Sequence, residues 1–570
     1  MFPRTLAAGA ALAFVLAGCA SPSSRAPASV PASASSHAPV EINLVAINDF
    51  HGNLEANRYV LRHGKDDQGT EMKAGGIATL GGALNAWRRE DKDLLFVAAG
   101  DLVGASPALS SMWADEPSIE AMNRMGLVAS SLGNHEFDPG PVELLRQQNG
   151  GCDSPRPTKA CQLNPDFKGA QFTYLGANVI DKRSGKTLVA PWRIVEVKGV
   201  KVGLVGALLH DLASVTVASS IRDLRVQDEA DTINQSVAEM RAAGAKVFVV
   251  LIHEGGHTDE AFDKTDCTGL KGPIVDITRK LDPAIRLIIS GHSHTGYLCK
   301  VDGRTVTQAD AMGHLLSRIR MTVDPVSGQV ENIDVRNVVM DPATIAPDTQ
   351  LADYLAGVRA RSDAVLAQPV GKIGMPTLAR KENEAGESAL GDLIADAAVA
   401  ATREKGAQVG FMNPGGIRRD LDSGAGGVVS FGQAQAVLPF GNTLVLQDLS
   451  GAQLRALLEQ QWDRPGDGQY MLQVSQGLSY QWDSTRPKGS RLVPGSVKVN
   501  GAPLVDTKIY RVVANNFLAD GGDNFPALGK GANKVDTGLR DLDALIAYMK
   551  QHPDIGAPAL APQARIQKVR

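Results

Sequence analysis

The sequence predicts an α/β protein built from two large domains, and three observations lead to this prediction. The chain has 570 residues, more than a single hydrophobic core usually serves. From residue 40 to about 341, apolar strand-like runs alternate with helical patterns, as in layered α/β folds. Polar side chains follow the ends of several runs, and in such folds ligand-binding groups gather at one edge of the sheet.

Composition describes a soluble globular protein, with 43% hydrophobic and 21% charged residues. The 58 Lys and Arg residues against 62 Asp and Glu give a net charge of −4. Such a chain has no large positive field to hold polymeric nucleic acid. The charge therefore argues against a DNA- or RNA-binding protein and leaves room for a small anionic ligand in a local site.

The N-terminus has the features of an export signal. An apolar segment at residues 6–16 is too short to span a bilayer, and the following Leu-Ala-Gly-Cys resembles a bacterial lipobox. We expect a signal peptide over residues 1–18 and a lipidated Cys19; an ordinary secretory signal is the alternative. Ala20, rather than Asp, favours an outer-membrane anchor with the protein facing the periplasm. Residues 19–40 are rich in Ser, Ala and Pro and predict a disordered tether.

Four cysteines remain once Cys19 is set aside. In an oxidising compartment, close pairing favours one disulfide between Cys152 and Cys161 and another between Cys267 and Cys299. A four-cysteine zinc site is the competing interpretation, but neither pair has the two-residue spacing typical of such sites. We therefore expect disulfides.

Ligand-type side chains follow one apolar run after another in the first half. Asp49 and His51 lie at the end of the first apolar run and are separated by one residue. Strand alternation therefore sends both side chains to the same side. A carboxylate and an imidazole that converge in this way can share a divalent cation. The full series at the ends of such runs is Asp49, His51, Asp101, Asn134, His253, His292 and His294.

Two further histidine motifs lie in this half. His135 and Asp138 are three residues apart, close enough for the carboxylate to orient the imidazole; the alternative is a loop histidine capped by its neighbour. We interpret Glu136 between them as structural. His253 to His257 matches the zinc-protease pattern His-Glu-x-x-His, but two glycines and a preceding strand-like run argue against the helix which that chemistry needs. His257 is expected near the site without being a ligand.

The boundary between the domains is predicted at residues 342–368. Asp341-Pro342 ends the preceding strand, and Asp348 can cap a helix that runs to about Leu366. A helix linking two domains is the economical interpretation.

The second half carries loop motifs instead of a ligand cluster. A glycine-rich turn, Asn413-Pro414-Gly415-Gly416-Ile417-Arg418, lets backbone N–H groups approach an anion, and its arginine offers a planar set of donors. Taken singly, this turn and the other loop motifs of the second half are typical of ordinary loops. The residues of interest are Arg380, Asn413, Gly415, Gly416, Arg418, Phe440, Asn442, Phe517 and Asp523.

The ligand series resembles that of the calcineurin-like metallophosphoesterases. With the second half included, residues 40 to about 530 resemble the bacterial 5'-nucleotidase / UDP-sugar hydrolase family. The resemblance implies a four-layer α/β-β-α metallophosphoesterase domain at 41–341, a linker helix at 342–368 and an α/β nucleotide-binding domain at 369–565.

The resemblance also implies two divalent metal ions, of Mn, Zn, Co or Ca. One would be held by Asp49, His51, Asp101 and His294, and the other by Asp101, Asn134, His253 and His292. Two divalent cations and two carboxylates leave the site at about +2, which suits a phosphate dianion. His135 and Asp138 would then form a dyad that stabilises the transferring phosphoryl group or the leaving oxygen.

In the second half, the resemblance implies a nucleotide pocket. Phe440 and Phe517 would sandwich the base, Asn442 and Asp523 would bind ribose or base edges, and Arg380 and Arg418 would hold the phosphate. Glu384, Ala389 and Pro414 depart from residues common in the family, so the preferred substrate stays open.

The sequence therefore predicts a hydrolase of nucleotide phosphate esters, a 5'-nucleotidase for which nucleoside di- and triphosphates or UDP-sugars are further candidate substrates. The alternatives are a 2',3'-cyclic-nucleotide 2'-phosphodiesterase/3'-nucleotidase, another two-metal ester hydrolase, or a nucleotide-binding lipoprotein without turnover. We expect a nucleotide substrate and a membrane contact through the lipid anchor; no protein partner is predicted.

Overall fold

The computed structural model describes residues 38–463, 468–552, 555 and 564–570. The expected signal peptide, the lipidated Cys19 and nearly all of the expected tether lie outside the described residues. Among the residues described, no helix is both long and apolar enough to cross a membrane.

The strands and helices of the first half alternate along the chain. Its strands are β1 Val40–Ile47, β2 Asn57–Leu61, β3 Thr70–Ala74, β4 Leu95–Ala98, β5 Leu127–Ser131, β6 Thr173–Leu175, β7 Val179–Asp181, β8 Trp192–Val197, β9 Val200–Leu208, β10 Leu224–Val226, β11 Val247–His253, β12 Ile285–Ser290, β13 Gly296–Val301, β14 Arg304–Ala309, β15 Leu315–Val323 and β16 Val330–Val339. Its helices are α1 Ile77–Glu90, α2 Ala108–Ser111, α3 Glu116–Arg124, α4 Pro141–Asn149, α5 Leu212–Val215, α6 Glu229–Ala242 and α7 Pro273–Lys280.

Two six-stranded sheets form the centre of this half, in the orders β16-β15-β1-β4-β5-β6 and β13-β14-β12-β11-β9-β8. Ile42 and Leu44 of one sheet share a core with Val249 and Leu287 of the other. Helices cover both outer faces, α1 and α3 on the first sheet and α6 and α7 on the second. The four-layer α/β-β-α architecture expected for this half is confirmed.

The strand pattern explains why ligand side chains collect at one edge. Strands β1, β4 and β5 run parallel in one sheet, and β9, β11 and β12 run parallel in the other. All seven residues of β11 are buried, as expected of a strand covered on both faces. Because parallel strands present their carboxyl ends at the same edge, the loops that follow them meet there.

The expected linking helix is α8, Thr349–Leu366, and the Asp348 carboxylate caps it by accepting from the Leu351 N–H. This helix does more than span a gap, because Leu351 and Val358 are buried in the core of the first half. The Trp113 indole also donates to the Ser362 hydroxyl at 2.8 Å. The helix is thus packed along much of its length against the first half.

The second half is organised around a five-stranded sheet in the order β23-β19-β27-β22-β28. Its strands are β17 Pro369–Lys372, β18 Thr377–Leu378, β19 Val409–Met412, β20 Leu421–Asp422, β21 Val428–Ser430, β22 Thr443–Ser450, β23 Gln473–Val474, β24 Leu478–Trp482, β25 Lys498–Val499, β26 Ala502–Pro503, β27 Ile509–Asn515, β28 Ala532–Arg540 and β29 Ile566–Lys568. Its helices are α9 Ala389–Thr402, α10 Phe431–Val437, α11 Gly451–Glu459, α12 Asn516–Ala519, α13 Pro526–Gly529 and α14 Asp541–Gln551. This half is α/β, as expected.

Two disulfides join the four cysteines of the described chain. Cys152 pairs with Cys161, with Cα atoms 5.6 Å apart, and Cys267 pairs with Cys299. The expected pairing is confirmed, and a four-cysteine zinc site is excluded.

Asp541, the first residue of α14, predicts a pH dependence of stability. It is buried, and burial raises the pKa of its carboxyl from 3.8 to about 7. The folded chain therefore keeps a proton that the unfolded chain releases, so this contribution to stability is lost as pH rises from about 4 to 7. Asp541→Asn should remove that loss, gaining about 1–3 kcal/mol on wild type across this range.

Urea unfolding of both proteins at pH 4.5, 6 and 7.5 measures this difference. Asp353→Asn, at an exposed position of helix α8, is the matched control. Parallel pH profiles for Asp541→Asn and wild type would contradict the prediction.

Candidate active site

All seven expected ligand side chains meet at the common edge of the two sheets. Five of them, together with His135, place their nitrogen and oxygen atoms in overlapping groups, within each of which the atoms lie no more than 4.8 Å apart: Asp49 with His51 and His294, His51 with Asp101 and His135, and Asp49 with Asp101 and His253. Asn134 lies against His253, and His292 lies against Asn134. The side chains of Asp49, His51, Asp101, Asn134 and His253 are buried. The sequence series is therefore one cluster in space.

Two sets of contacts can be separated within this cluster. On one side, His51 Nε2 lies 3.1 Å from His294 Nε2 and 3.7 Å from Asp101 Oδ2, and His294 Nε2 lies 3.3 Å from Asp49 Oδ1. These four residues are the ones expected to hold one ion.

On the other side, His253 Nε2 lies 3.1 Å from both Asp101 Oδ2 and Asn134 Oδ1. His292 Nδ1 lies 3.0 Å from the same Asn134 oxygen. Asp101 contacts residues of both sets, as a bridging carboxylate would.

The chemistry of these groups fits divalent cations. His51 Nδ1 lies 3.0 Å from the Gly104 carbonyl oxygen, and His253 Nδ1 lies 2.8 Å from that of Ala99. A carbonyl accepts only from a protonated nitrogen, so the lone pair of a neutral imidazole is then on Nε2. Those lone pairs face carboxylate and amide oxygens, and a cation between such acceptors satisfies them.

Electrostatics within the cluster point the same way. Burial would raise the pKa of Asp49, but His294 and His253 outweigh it and hold the pKa at about 2. Burial and the neighbouring His253 lower the pKa of His292 to about 4. Burial opposes a charge on His253, yet Asp101 and Asp49 raise its pKa to about 10. A proton on His253 therefore occupies a place where the carboxylates favour positive charge, and a metal ion competes with it there.

The backbone at the cluster is strained. Asp49, His51, Asp101, His292 and His294 have φ of 49°, 46°, 51°, 72° and 52°, a region that non-glycine residues seldom adopt. Such conformations persist where the surrounding structure enforces them, and they concentrate at functional sites. Gly133 permits the close approach of two loops, since a Cβ there would overlap the Asp101 carboxylate.

Glu136 holds two ligand loops together. Its buried carboxylate accepts from the backbone N–H groups of Asp101 at 3.0 Å, Leu102 at 2.8 Å and Gly133 at 2.6 Å. Burial, together with the charge of Asp101, raises the pKa of this carboxyl to about 7. The structural interpretation of Glu136 agrees with these contacts, but the sequence did not reveal that it joins the Asp101 and Asn134 loops.

His135 and Asp138 lie at the rim of the cluster. His135 Nδ1 is 2.9 Å from Asp138 Oδ2, so the carboxylate orients the imidazole. Burial would lower the pKa of His135, but Asp138 and Asp101 outweigh it and raise the pKa above its usual value. The Phe440 ring stacks on the His135 ring, with centroids 5.5 Å apart and planes inclined by 23°. A residue of the second half therefore packs directly on the expected dyad.

One cavity of about 350 Å³ is lined by both halves of the chain. The first half contributes Asp101, Asn134, His135, Asp138, His292 and His294. The second half contributes Asn413, Gly415, Gly416, Arg418, Phe440, Asn442, Phe517 and Asp523. Eight of the nine residues singled out in the second half thus face the metal-ligand cluster.

Arg380 is the exception. Its guanidinium donates to the Ile417 carbonyl at 2.8 Å, and it lines a larger neighbouring cleft of about 1500 Å³ instead. Arg418 lines both the cavity and the cleft. Arg380 therefore lies on the cleft side of Arg418 and does not itself line the cavity.

Several residues of the site were missed from the sequence. The Tyr470 hydroxyl accepts from the Gly415 N–H at 2.8 Å and donates to Asp523 Oδ2 at 2.9 Å, which fixes the glycine-rich turn. Thr216 and its two neighbours line the cavity from the first half. No motif marks Tyr470 or Thr216, because only tertiary packing brings them to the site.

Between His253 and His257 the structure does not form the helix of a zinc protease. His253 ends strand β11, and His257 pairs through its backbone with Lys271 in an isolated bridge. Without a helix between them, the two histidines do not share the helical face that a zinc protease requires.

Comparison with known families agrees with this geometry. Residues 42–296 match the calcineurin-like phosphoesterase model, and residues 366–530 match the 5'-nucleotidase C-terminal domain. The cell wall protein Lmo0130 of Listeria monocytogenes is 31% identical, over 91% of this chain and 68% of its own length. The chain therefore belongs to the family that joins a calcineurin-like phosphoesterase domain to a 5'-nucleotidase C-terminal domain.

Other relatives cover different shares of their own length. The endonuclease YhcR of Bacillus subtilis is 28% identical over 90% of this chain, which spans only 40% of that protein. The crystal structure of a 5'-nucleotidase precursor from Thermus thermophilus is 29% identical, with a TM-score of 0.74, over 93% of this phosphoesterase and 100% of the other chain.

Glu136→Gln should weaken metal binding by the phosphoesterase. An amide keeps one acceptor oxygen and turns N–H donors toward the remaining backbone N–H groups from which the carboxylate now accepts, so its hold on the two ligand loops would weaken. Loss of a partner that orients metal ligands typically costs about 10–100-fold in metal affinity, and that loss is the expected result. Calorimetric titration of chelated protein with Mn²⁺ measures it.

Glu120→Gln is the matched control, because Glu120 pairs with Arg124 at the partly exposed surface of α3. Unchanged Mn²⁺ affinity in Glu136→Gln would show that the two loops keep their positions without this carboxylate.

Proposed function

We propose that this chain hydrolyses nucleoside 5'-monophosphates with the help of two divalent cations. The observation that carries the proposal is the shared cavity, where metal-ligand groups, the His135–Asp138 pair, an arginine and two aromatic rings line one space. A nucleotide has a chemical counterpart for each of these groups: a phosphate for the cations and the arginine, and a base for the rings.

The proposal includes two metal positions. Asp49, His51, Asp101 and His294 would hold one ion, and Asp101, Asn134, His253 and His292 the other, as Mn²⁺, Zn²⁺, Co²⁺ or Ca²⁺. When bound, such ions neutralise phosphoryl charge and lower the pKa of the attacking water. The ligand residues themselves are held in place by the strained turns and by Glu136.

His135 is the proposed acid–base group. Because Asp138 holds Nδ1, Nε2 is the nitrogen left to donate to the phosphoryl or leaving oxygen. Asp138 and Asp101 both favour the protonated imidazole, which is the form that can stabilise developing negative charge.

The second half is proposed to recognise the nucleotide. Phe440 and Phe517 supply aromatic faces, and stacking on a base is worth about 1–3 kcal/mol whichever base it is. Asn442 and Asp523 offer groups for ribose or base edges. The Arg418 guanidinium lies 5.8 Å above the Phe440 ring, so a phosphate bound by Arg418 would lie close to the aromatic platform. Arg380 is proposed to support Arg418 rather than to face the cavity.

The domain organisation and location are part of the proposal. The metallophosphoesterase domain spans 41–341, the linker helix 342–368 and the nucleotide domain 369–565. A signal peptide and a lipidated Cys19 would anchor the enzyme in the cell envelope, facing the periplasm. The name of Lmo0130 as a cell wall protein supports export.

A substrate panel tests the reaction. Phosphate release from AMP, 3'-AMP, 2',3'-cyclic AMP and UDP-glucose should be fastest with AMP, because the ring platform and the arginine suit a nucleoside 5'-phosphate. Chelation should abolish release, and adding back Mn²⁺, Co²⁺, Zn²⁺ or Ca²⁺ one at a time should identify the ions that restore it.

Faster turnover of 2',3'-cyclic AMP and 3'-AMP than of AMP would replace the proposal with the cyclic phosphodiesterase/3'-nucleotidase. Nucleotide binding without release from any ester would favour a binding protein.

Two variants should separate chemistry from binding. His135→Ala removes the proposed proton donor and should lower kcat for AMP by about 10²–10⁴ with little change in KM. Phe440→Ala removes one face of the base platform and should chiefly raise KM for AMP. Steady-state kinetics of the two purified variants beside wild type gives both parameters. An unchanged KM in Phe440→Ala would remove the stacking assignment.

A further inference from the structure

Arg419, the residue after the cavity arginine, crosses from the second half to the first. Its Nη2 donates to Asn53 Oδ1 at 3.0 Å and lies 3.2 Å from Met312 Sδ, and its Nη1 lies 3.5 Å from Asn57 Oδ1. Neither Arg380 nor Arg418 has a hydrogen bond of this kind to the first half among the residues described. No motif in the sequence marks Arg419.

The two main partners of Arg419 hold the backbone of metal-ligand residues. The Asn53 amide donates to the carbonyls of Phe50 at 2.9 Å and His51 at 3.0 Å. The Met312 N–H donates to the Asp49 carbonyl at 2.7 Å. Arg419 therefore contacts the side chains of Asn53 and Met312, and both of these residues form hydrogen bonds to the strained turn from Asp49 to His51.

The contacts of Arg419 depend on the packing of the second half against the first. Arg418, Arg419, Asn53 and Met312 line a small space directly against His51. Burial and the neighbouring Arg418 and Arg380 lower the pKa of Arg419, while Asp420 and Asp422 oppose that shift. If the halves separate, these contacts are lost together.

Other contacts between the halves lie elsewhere. The Asp523 N–H donates to the Ser214 carbonyl at 2.8 Å, and Gln435 Nε2 lies 3.5 Å from the Ser111 hydroxyl. Neither Ser214 nor Ser111 belongs to a turn that carries a metal ligand. Phe440 stacks on the side chain of His135, beside Asn134, whereas the described hydrogen bonds of Arg419 reach, through Asn53 and Met312, the backbone of the Asp49–His51 turn.

We infer that Arg419 is a positioning residue that couples the docking of the second half to the geometry of the Asp49–His51 turn. With the halves docked, Arg419 holds Asn53 and Met312, and through them the ligand backbone. When they separate, the turn loses that support. The inference rests on the proposed metal centre, but not on which ester is hydrolysed.

The test compares Arg419→Ala with Arg403→Ala, an exposed arginine of the same half. Calorimetric titration of each chelated protein with Mn²⁺ reports the metal site without any substrate. Arg419→Ala should bind Mn²⁺ about tenfold more weakly, the lower end of the range for residues that orient metal ligands. It should also lower kcat for AMP about tenfold with KM within about twofold, while Arg403→Ala matches wild type in all three.

The outcomes are distinguishable. Wild-type Mn²⁺ affinity and kcat in Arg419→Ala would overturn the inference, and so would a raised KM alone, which would make Arg419 a substrate ligand. If wild type fails to hydrolyse AMP, the titration still decides the role of Arg419. Arg419→Gln keeps bulk and a donor, and it replaces the alanine variant if thermal unfolding shows that the latter does not fold; the same losses, smaller in size, are then expected.

Discussion

The carboxylate of Asp101 is the point on which the site depends. It is buried, and it lies against the Nε2 atoms of His51 and His253, which carry lone pairs when the imidazoles are neutral. Acceptors packed against each other repel, and only positive charge makes their arrangement favourable. The folded chain thus carries a cluster that bound cations would complete. The packing of the two sheets against each other comes chiefly from apolar side chains, which lie apart from this cluster.

The fold supplies the force that keeps this cluster together. Five ligand residues adopt backbone conformations that cost of order 1–3 kcal/mol each. Buried parallel strands on one side and the Glu136 carboxylate on the other oppose that cost, since Glu136 accepts from the backbone of two ligand loops at once. The strained residues and the residue that supports them are therefore different positions in the sequence. Five of the seven expected ligands are strained, whereas Glu136, in its described hydrogen bonds, accepts from backbone groups.

This separation explains what the sequence could and could not predict. The ligands were predictable because each follows an apolar run and is thus tied to a strand end, and α8 was predictable from its cap and spacing. The place of Arg380, the contacts of Tyr470 and the reach of Arg419 were not, because they depend on how segments from 37 to 366 residues apart in the chain pack. Arg419 stood beside a residue already singled out, but adjacency in sequence says nothing about which half of the protein a side chain will touch.

The stacking of Phe440 on His135 ties the two proposed tasks of the cavity together. A ring that already covers His135, the proposed acid–base group, cannot take up a base on that same face, so a bound nucleotide would use the other face of Phe440 or displace the ring. Using the other face keeps His135 shielded from water while substrate is bound, and displacement exposes it. In either case the second half controls the surroundings of His135 as well as the base. Recognition and chemistry are therefore linked through one ring contact rather than placed in independent domains.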